Sequence, residues 1–365
     1  MKILLLGEYS NLHWTLAEGL RALGNQVCVV SDGDRWRNYQ CDLSLKRKRD
    51  TIQDGLLYMA KVLQILPQLR GYDVVQIINP CFLHLKAPKC LYIYKYLRKY
   101  NKKIFLGAFG NDYYWANLCM NTNKLRYSEF RIGNEIRETH NNKQILQECL
   151  YGGTAHTTQE IASSCNGIIA CLWEYYAAYV DHYSDKLTYI PLPIDVSTIT
   201  GRIRNEPQAI NFFIGIQSAR SDIKGTDVMY PVLQEIERKY PTLCHIIKAV
   251  DVPFSKYQQM MDDADVQLDQ LYSYTPSMNS LLAMGKGIVV VGGGEEENYQ
   301  IINEQELRPI INVRPSKADI YHQLEQLVLH KERIPELSSQ SIEYVKRHHD
   351  HIKVAQQYID FWETH

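Results

Sequence analysis

Short apolar runs alternate with amphipathic stretches through the first half of the chain. The runs at residues 2–6, 72–80 and 103–110 are rich in branched side chains, which is typical of buried parallel strands. The stretches between them, for example residues 51–69 and 90–103, place apolar residues at helical spacing. This alternation of strand and helix predicts an α/β domain built on a parallel sheet.

A second series of the same kind follows a polar stretch. Residues 191–208 contain prolines and polar residues typical of an interdomain linker. Beyond them, strands are predicted at residues 210–219, 245–251 and 265–271, with amphipathic helices between. The pattern therefore predicts two doubly wound, Rossmann-like domains facing each other across the linker.

The predicted domain bounds are residues 1–195 and 196–345, followed by a C-terminal helix over residues 346–365. Residues 117–160 are polar and irregularly patterned, with several helical pieces. We interpret them as an insertion within the N-terminal domain.

The stretch 274–297 combines features of an anion-binding site. Thr275 and Pro276 suit the start of a helix, whose unpaired N–H groups and dipole attract phosphate. A predicted strand at 288–291 then leads into three glycines and three glutamates. A glycine turn at the carboxyl end of a strand lets a ligand approach the backbone. An ordinary helix–turn–strand unit is the alternative interpretation.

Composition excludes several classes of protein. The chain of 365 residues has a formal net charge of −1, so nothing attracts it generally to nucleic acid, and no nucleic-acid partner is expected. Its nine cysteines form no CxxC pair, which favours reduced thiols in the cytoplasm. The N-terminus reads as a first strand rather than a signal peptide. Neither a complete GxGxxG nor a P-loop motif is present, which disfavours dinucleotide and NTPase sites.

Four motifs carry a family resemblance: IGIQSARSDIKG at 214–225, AMGKGIVV at 283–290, GGEEE at 293–297 and YIPLPID at 189–195. They resemble those of retaining GT-B glycosyltransferases of family four, most strongly in the second half of the chain. The resemblance implies a GT-B fold, in which the N-terminal domain binds the acceptor, the C-terminal domain binds a nucleotide-sugar donor, and the last helix returns to the N-terminal domain.

The resemblance also implies a donor site. Arg220 offers a planar fork and Lys224 a mobile point charge for the donor diphosphate, although each alone fits a solvated surface group. A leaving diphosphate gains negative charge, which fixed cations stabilise. The donor-site residues expected are Arg220, Lys224, Gly7, Ser277, Met278, Asn279, Gly293, Gly294 and Glu297.

One departure from the family pattern concerns two glutamates that the family places eight positions apart. Tyr272 and Ser280 stand at those positions here. Either Asp269 or the cluster at 295–297 supplies the carboxylates, or the nucleotide is held differently.

Two N-terminal residues are candidates for catalysis. Asp112, in a Gly-Asn-Asp loop, is expected to orient or deprotonate the acceptor hydroxyl, with capping of the next turn as the alternative. His13 follows the first strand and is a catalytic candidate, with a hydrogen-bonded structural role as the alternative. The run at 348–351 contains three histidines and an aspartate, but adjacent helical positions point in different directions. No metal site and no cofactor requirement are therefore expected.

The predicted function is transfer of a sugar from a UDP- or GDP-sugar to a glycan or lipid-linked acceptor, with retention, in surface polysaccharide biosynthesis. The alternatives are a non-catalytic nucleotide- or sugar-phosphate-binding protein and a sugar-nucleotide epimerase of the same fold. The basic stretches at 43–50 and 90–103 suggest peripheral contact with an anionic membrane, or else solvated surfaces. The expected location is the cytoplasm, with peripheral contact at the inner face of the membrane.

Overall fold

The computed structural model describes residues 1–34, 37–47, 49, 51–121 and 124–365. Residues 48 and 50 of the basic stretch 43–50 therefore lie outside the described residues. The described residues form two compact units.

The first unit comprises Met1–Leu118, Ile145–Pro193 and His351–His365, and the second comprises Cys119–Gln144 and Ile194–Asp350. The elements of the first part of the chain are β1 Lys2–Leu6, α1 Leu12–Ala22, β2 Gln26–Ser31, β3 Leu43–Ser44, α2 Ile52–Ile65, β4 Val74–Ile77, α3 Ala87–Tyr100, β5 Lys103–Ala108, α4 Tyr113–Asn121, β6 Arg131–Ile132, β7 Glu135–Ile136, α5 His140–Leu150, α6 Thr154–Ser164, β8 Gly167–Ala170, α7 Trp173–Tyr183 and β9 Leu187–Tyr189.

Strands and helices also alternate through the rest of the chain. Its elements are β10 Ile210–Ile216, α8 Ser221–Lys224, α9 Thr226–Lys239, β11 Cys244–Val250, α10 Phe254–Asp262, β12 Val266–Asp269, α11 Met278–Gly285, β13 Val289–Gly292, α12 Glu296–Ile301, β14 Ile310–Asn312, α13 Lys317–Leu329, α14 Ile334–His348 and α15 His351–Thr364. Single 3-10 turns cover Leu66–Leu69, Ser218–Arg220 and Lys331–Arg333.

The sheet of the first unit has the Rossmann strand order. Within the described residues it runs β3-β2-β1-β4-β5-β8-β9, and each neighbouring pair is parallel. Ile3, Leu4, Leu5 and Leu6 are fully buried, which explains why β1 reads as an unbroken apolar run. The strand order reverses between β1 and β4, so the carboxyl ends of these two strands form the crevice where ligands bind in such sheets.

The C-terminal helix α15 belongs to the first unit, as the fold prediction expected. Trp362 is buried, and Lys103 Nζ donates to the Trp362 carbonyl at 2.8 Å. Gly19 of α1 lies so close to α15 that a Cβ there would be 2.3 Å from the His351 carbonyl oxygen. A residue with a side chain could not replace Gly19 without separating the two helices.

The boundary of this last helix differs from the predicted start at residue 346. Helix α14 continues to His348, and α15 begins at His351. Between them the chain is tied to the linker, because the Ile194 N–H donates to the His349 carbonyl at 2.6 Å and Ile194 pairs with Asp350 in an isolated bridge. The predicted C-terminal helix over residues 346–365 is therefore wrong at His349 and Asp350, which interrupt it.

The second unit contains a smaller doubly wound sheet. Within the described residues its strand order is β11-β10-β12-β13-β14, and all the pairs are parallel. Apolar side chains of the strands and of α9, α13 and α14 form one buried core on this sheet. The strand order reverses between β10 and β12, which places the ligand crevice of this unit at the carboxyl ends of those strands.

The described residues of 119–144, called here the 119–144 segment, pack within the second unit although the sequence interpretation placed them in the N-terminal domain. The guanidinium of Arg131 is buried and donates to three carbonyls of the segment itself. Those acceptors are Cys119 at 3.0 Å, Leu125 at 2.8 Å and Gly133 at 2.5 Å. One buried cation therefore organises the segment around the short β6–β7 hairpin.

Candidate functional site

The crevice of the second unit contains Lys224, the last residue of α8. The chain then turns through Gly225 at φ +76°, and a Cβ on this glycine would lie 2.4 Å from Leu271 Cβ. The Leu271 N–H donates to the Lys224 carbonyl at 3.0 Å. Lys224 Nζ lies 3.7 Å from Oδ1 of Asp269, the last residue of β12. The glycine turn thus places a lysine at the point where the strand order reverses.

Asp269 is buried, and its carboxylate accepts hydrogen bonds from hydroxyl groups at the start of α11. Ser277 Oγ donates to its Oδ2 at 2.7 Å, and Ser280 Oγ does so at 3.0 Å. Asn279 Nδ2 lies 3.5 Å from the same oxygen and donates to the Tyr257 hydroxyl at 2.7 Å. Ser280 occupies the position of the second missing glutamate. A carboxylate is therefore present beside position 280, but it comes from the end of β12.

Helix α11 begins slightly later than the sequence predicted. Ser277, rather than Thr275, is the N-cap, and its Oγ accepts from the Ser280 N–H at 3.4 Å. Met278 and Asn279 then form the first turn, at the carboxyl end of β12. Three of the predicted donor-site residues, Ser277 to Asn279, thus lie at a helix N-terminus, where backbone N–H groups favour anions.

Arg220 is exposed on the loop after β10, and the 119–144 segment packs along that loop. Asn141 Nδ2 donates to the Ala219 carbonyl at 2.9 Å and to Asp222 Oδ1 at 2.8 Å. Arg137 Nη2 donates to the Asp222 carbonyl at 2.8 Å. The loop that presents Arg220 is therefore supported by residues that come from the N-terminal half of the sequence.

The first missing glutamate is replaced at position 272 by an aromatic ring that carries a cation. The Arg137 guanidinium lies 3.7 Å from the centroid of the Tyr272 ring. At this distance the cation–π contact contributes stability, and Tyr272 is largely buried beneath the arginine. This wall of the crevice presents a positive group where the family pattern leads us to expect a carboxylate.

Residues of the 119–144 segment also bind the glutamates of the acidic turn at 293–297. Arg126 forms ion pairs with Glu297 and with Glu295, the latter at 2.9 Å, and Tyr127 Oη donates to Glu295 Oε1 at 2.7 Å. The Tyr127 ring stacks on Tyr274 with centroids 4.8 Å apart. Burial raises the pKa of Glu297, but the Arg126 guanidinium outweighs it and lowers the pKa below its ordinary value. These glutamates hold the 119–144 segment in place.

Gly293 and Gly294 make the close packing of this turn possible. A Cβ on Gly293 would lie 2.2 Å from the Ser273 carbonyl oxygen, and one on Gly294 would lie 2.7 Å from Ile310 Cγ2. The Gly294 N–H donates to Asn312 Oδ1 at 3.1 Å. Both glycines are buried, so within the described chain their small size serves backbone packing.

In the first unit, Gly7 lies at the carboxyl end of β1 with φ +87°, followed by Glu8. Glu8 is buried and accepts from the Trp14 N–H at 2.9 Å and the His13 N–H at 3.3 Å. Burial raises the pKa of Glu8 to about 8. The N-terminus of α1 is thus capped by a carboxyl group of the chain itself.

His13 is fully buried in α1, and its Nδ1 lies 2.8 Å from the Gly7 carbonyl. Burial lowers the pKa of His13 to about 3, so the ring is neutral near pH 7 and Nδ1 carries the proton that it donates to this carbonyl. Nε2 is buried and has no hydrogen-bond partner among the described residues. This geometry favours the structural alternative for His13.

Asp112 immediately precedes α4 and caps it. Its Oδ1 accepts from the Trp115 N–H at 3.0 Å, and its Oδ2 accepts from the Tyr179 hydroxyl at 2.7 Å. Burial raises the pKa of Asp112 to about 6. Since both carboxylate oxygens are engaged and the residue is 1% exposed, the geometry favours the capping alternative.

Sequence reasoning missed the residues of the 119–144 segment, above all Arg126, Tyr127, Glu129 and Arg137. The Ile-Gly-Asn-Glu-Ile run at 132–136 is a hairpin signal that was available, but it says nothing about which unit the hairpin joins. No group of three or more metal-ligating side chains that could hold a metal ion lies together in the described part of the chain.

Comparison with models of known protein families gives no match, and neither does comparison with curated proteins. Solved structures are similar over the full length. Alr3699/HepE from Anabaena, solved with UDP and glucose, has a TM-score of 0.60 and 11% identity, covering 100% of both chains. Sucrose-phosphate synthase from Thermosynechococcus elongatus has a TM-score of 0.59 and 11% identity, covering 100% of this chain and 99% of that one.

A third similar structure is the lipopolysaccharide outer core galactosyltransferase WaaB, with a TM-score of 0.54 and 11% identity over 100% of this chain and 99% of that one. These likenesses confirm the fold prediction. The chain has the GT-B fold, with a Rossmann-like unit in each half.

Proposed function

We propose that the protein is a glycosyltransferase that takes its sugar from a nucleotide-sugar donor bound by the second unit. The observation that carries this proposal is the convergence of Lys224, Asp269 and the N-terminus of α11 where the strand order of the second sheet reverses. The fold supports the same conclusion, since similar structures include one solved in complex with UDP-glucose.

The chemistry proposed for this site follows from its charges. Lys224 and Arg220 neutralise the diphosphate, and the first-turn N–H groups of α11 add donors to the same anion. Charge on the leaving diphosphate grows in the transition state, so cations that are already in place stabilise it without reorganisation. Asp269, held by Ser277 at the N-cap of α11 and by Asn279 and Ser280 in the helix, offers an acceptor for hydroxyl groups of the nucleotide ribose.

Retention at the anomeric carbon is part of the proposal. The crevice of the first unit, around Gly7, is proposed to bind the acceptor, rather than the donor, to which Gly7 was assigned from the sequence. His13 and Asp112 are proposed as positioning residues there, because the first is neutral and hydrogen-bonded to Gly7 and the second holds the N-terminus of α4. The leaving phosphate oxygen itself then takes the acceptor proton, which removes the need for a separate protein base.

The test of the donor site compares R220A and K224A with R238A. Arg238 is an exposed control in the last turn of α9, about 18 Å along the helix from its first residue, Thr226. We expect each site variant to lose about 10- to 100-fold in affinity for UDP or GDP by calorimetry, as befits a charged hydrogen bond of about 1.5–3 kcal/mol. R238A should bind like the unmodified protein. Equal affinities for all three variants would remove the donor-site assignment.

A glycan or lipid-linked acceptor is proposed as the second substrate, in surface polysaccharide biosynthesis. Two similar structures are a lipopolysaccharide galactosyltransferase and a glycosyltransferase of lipopolysaccharide biosynthesis, which supports this class of acceptor. No helix in the described ranges is long and apolar enough to cross a bilayer.

Peripheral membrane contact is proposed through α2. Ile52, Leu56 and Leu63 are 85%, 67% and 54% exposed, and their spacing places them on one face of this helix. The basic stretch 43–50 immediately precedes α2, and positive charge beside an apolar helix face suits an anionic bilayer surface. The double variant I52E/L56E should lose sedimentation with phosphatidylglycerol vesicles, whereas L329E, changed at an exposed leucine of the second unit, should not.

A non-catalytic nucleotide-binding protein is the second candidate. It is favoured by the engagement of Glu295 and Glu297 in ion pairs with Arg126, since neither carboxylate is then available to a sugar. Incubation with UDP-glucose or GDP-mannose separates the two candidates. Release of UDP or GDP with transfer or hydrolysis of the sugar supports the enzyme, whereas tight binding with intact donor supports the second candidate.

A further inference from the structure

Glu129 is a charged side chain of the 119–144 segment that no other role accounts for. Its backbone carbonyl accepts from Asn142 Nδ2 at 2.7 Å and also from Arg137, so the position of the residue is well determined. Its carboxylate differs, because Oε1 is buried and has no hydrogen-bond partner among the described residues. A buried acceptor without a partner is destabilising, and a ligand that donates a hydrogen bond to it relieves this cost.

The charges around this carboxylate come from the proposed donor site. Burial raises the pKa of Glu129 to about 7, while the nearby guanidinium groups of Arg220 and Arg137 oppose the rise and Asp222 adds to it. Arg220 is the proposed diphosphate ligand, and Arg137 covers the ring of Tyr272. Glu129 therefore lies beside the phosphate-binding loop and beside the wall where a carboxylate is missing from position 272.

We propose that Glu129 binds hydroxyl groups of the sugar that the nucleotide donor carries. The inference rests on the proposed function and adds to it a residue that recognises the sugar of the donor. A carboxylate repels phosphate but accepts strongly from sugar hydroxyls, so it suits the part of the donor beyond the diphosphate. Arg137 packs on Tyr272 and donates to the Glu129 carbonyl, and these two contacts fix the position of the residue that carries the carboxylate.

The test separates the sugar from the nucleotide. The full-length protein and its E129Q and E129D variants are titrated with UDP and UDP-glucose, and with GDP and GDP-mannose, at pH 8. We expect E129Q to bind the free diphosphates within about twofold of the original protein and to bind the matching sugar nucleotide at least tenfold more weakly. E129D keeps the charge but shortens the side chain, so its affinity for the sugar nucleotide should lie between those of the original protein and E129Q.

E138Q is the matched control. Glu138 lies on the same segment, is exposed and pairs only with Lys143 among the contacts described for its side chain, so its removal should change neither affinity. Equal weakening of nucleotide and sugar nucleotide by E129Q overturns the proposal, because Glu129 would then only support the loop. Tighter UDP or GDP binding by E129Q also overturns it, since Glu129 would then be a competitor for Arg220.

The pH profile provides a second readout that needs no variant. The groups that face Glu129 are Arg220, Arg137 and Asp222. The preference of the unmodified protein for the sugar nucleotide over the free diphosphate should decline as the pH falls below about 7, when Glu129 gains a proton. A preference that is constant from pH 5.5 to 8.5 contradicts the proposal even if E129Q does not fold.

Failure of this inference is distinguishable from failure of the proposed function. If the unmodified protein binds none of the four probes, the glycosyltransferase assignment and the role of Glu129 both fall. If it binds them and E129Q retains the same preference for the sugar nucleotide, only the role of Glu129 falls.

Discussion

Replacing Arg126 by alanine tests how the 119–144 segment is held on the second unit. Arg126 pairs with Glu297 and Glu295, and its guanidinium lies 4.9 Å from the centroid of the Tyr274 ring. In R126A both carboxylates lose their cation, and Glu295 keeps the hydroxyl of Tyr127. We expect a folded but less stable protein in which the segment detaches more often.

The expected magnitude follows from the exposure of the three partners. Breaking a buried ion pair costs about 3–5 kcal/mol, and an exposed one about 0–1 kcal/mol. The side chain of Arg126 is 50% exposed, whereas those of Glu297 and Glu295 are 19% and 7% exposed. Solvent screening of the half-exposed arginine discounts the upper figure, so we expect R126A to cost about 2 kcal/mol, or about 4–8 °C in Tm.

The assay is urea denaturation of the unmodified protein, R126A, E297Q and the double variant. A double-mutant cycle isolates the pair, and a coupling of about 1 kcal/mol is expected because the groups touch. K143A is the control, since Lys143 and its partner Glu138 are 65% and 70% exposed, and its cost should stay below about 0.5 kcal/mol. Hydrogen exchange should show faster opening of the 119–144 segment in R126A.

The pH dependence of stability, compared between the unmodified protein and R126A, tests this account of the ion pairs. Because the pKa of Glu297 is lowered on folding, its contribution is complete above the unfolded pKa and is lost as the pH falls through the folded one. The stability gap between the unmodified protein and R126A should therefore be widest near neutral pH and narrow below about pH 4.5. A gap smaller than 0.5 kcal/mol at pH 7, or one that widens in acid, would refute this account of the segment.

Two sets of substitutions and one titration of the unmodified protein have defined outcomes. G225A should lower the free energy of unfolding by about 2–4 kcal/mol in a denaturation experiment, because an alanine there has φ +76° and its Cβ lies 2.4 Å from Leu271 Cβ. G24A is the control: its φ is +83° but nothing lies within 4 Å of the added Cβ, so it should lower the free energy of unfolding by only about 1–2 kcal/mol. E304Q should remove an acid-sensitive contribution to stability. Burial raises the pKa of Glu304, but hydrogen bonds from His348 and from the Leu307 and Glu306 N–H groups lower it to about 2, so the contribution is complete above pH 4.5 and lost as the pH falls through 2. The ring signals of His13 should not titrate between pH 5 and 8 by NMR, since burial lowers its pKa to about 3, and a midpoint near 6.5 would contradict that environment.

The fold was accessible from the sequence because its signals are local. The run at 2–6 is apolar at every position from Ile3, and a strand buried on both faces needs that pattern. The strand at 72–80 was predicted too long, because Asn79 turns the chain by accepting from the Cys81 N–H at 2.9 Å. Periodicity alone does not indicate where a side chain replaces the neighbouring strand as the hydrogen-bond partner of the backbone and so ends the strand.

The candidate site was only partly accessible. Lys224 follows a strand and precedes a glycine, and those neighbours in sequence mark the turn. Arg126 and Glu297 are 171 positions apart, and no local pattern links them. The polar, irregular pattern of 117–160 was compatible with any surface, so the assignment of this stretch to the N-terminal domain rested on chain order alone.

The departure at Tyr272 and Ser280 has a physical consequence for the whole crevice. Ser280 is 1% exposed and its hydroxyl lies 3.0 Å from Asp269, so a glutamate at position 280 would bring a second carboxylate against a buried one. Two carboxylates at that distance repel each other, and Lys224, 3.7 Å from Asp269, would have to balance both charges. Asp269 with a serine, and a glutamate without Asp269, are therefore alternative ways of placing one carboxylate at this point. The chain has adopted the first at 280. At 272 the ring of Tyr272 carries the guanidinium of Arg137, which belongs to the 119–144 segment, so that segment supplies the charged groups at this position.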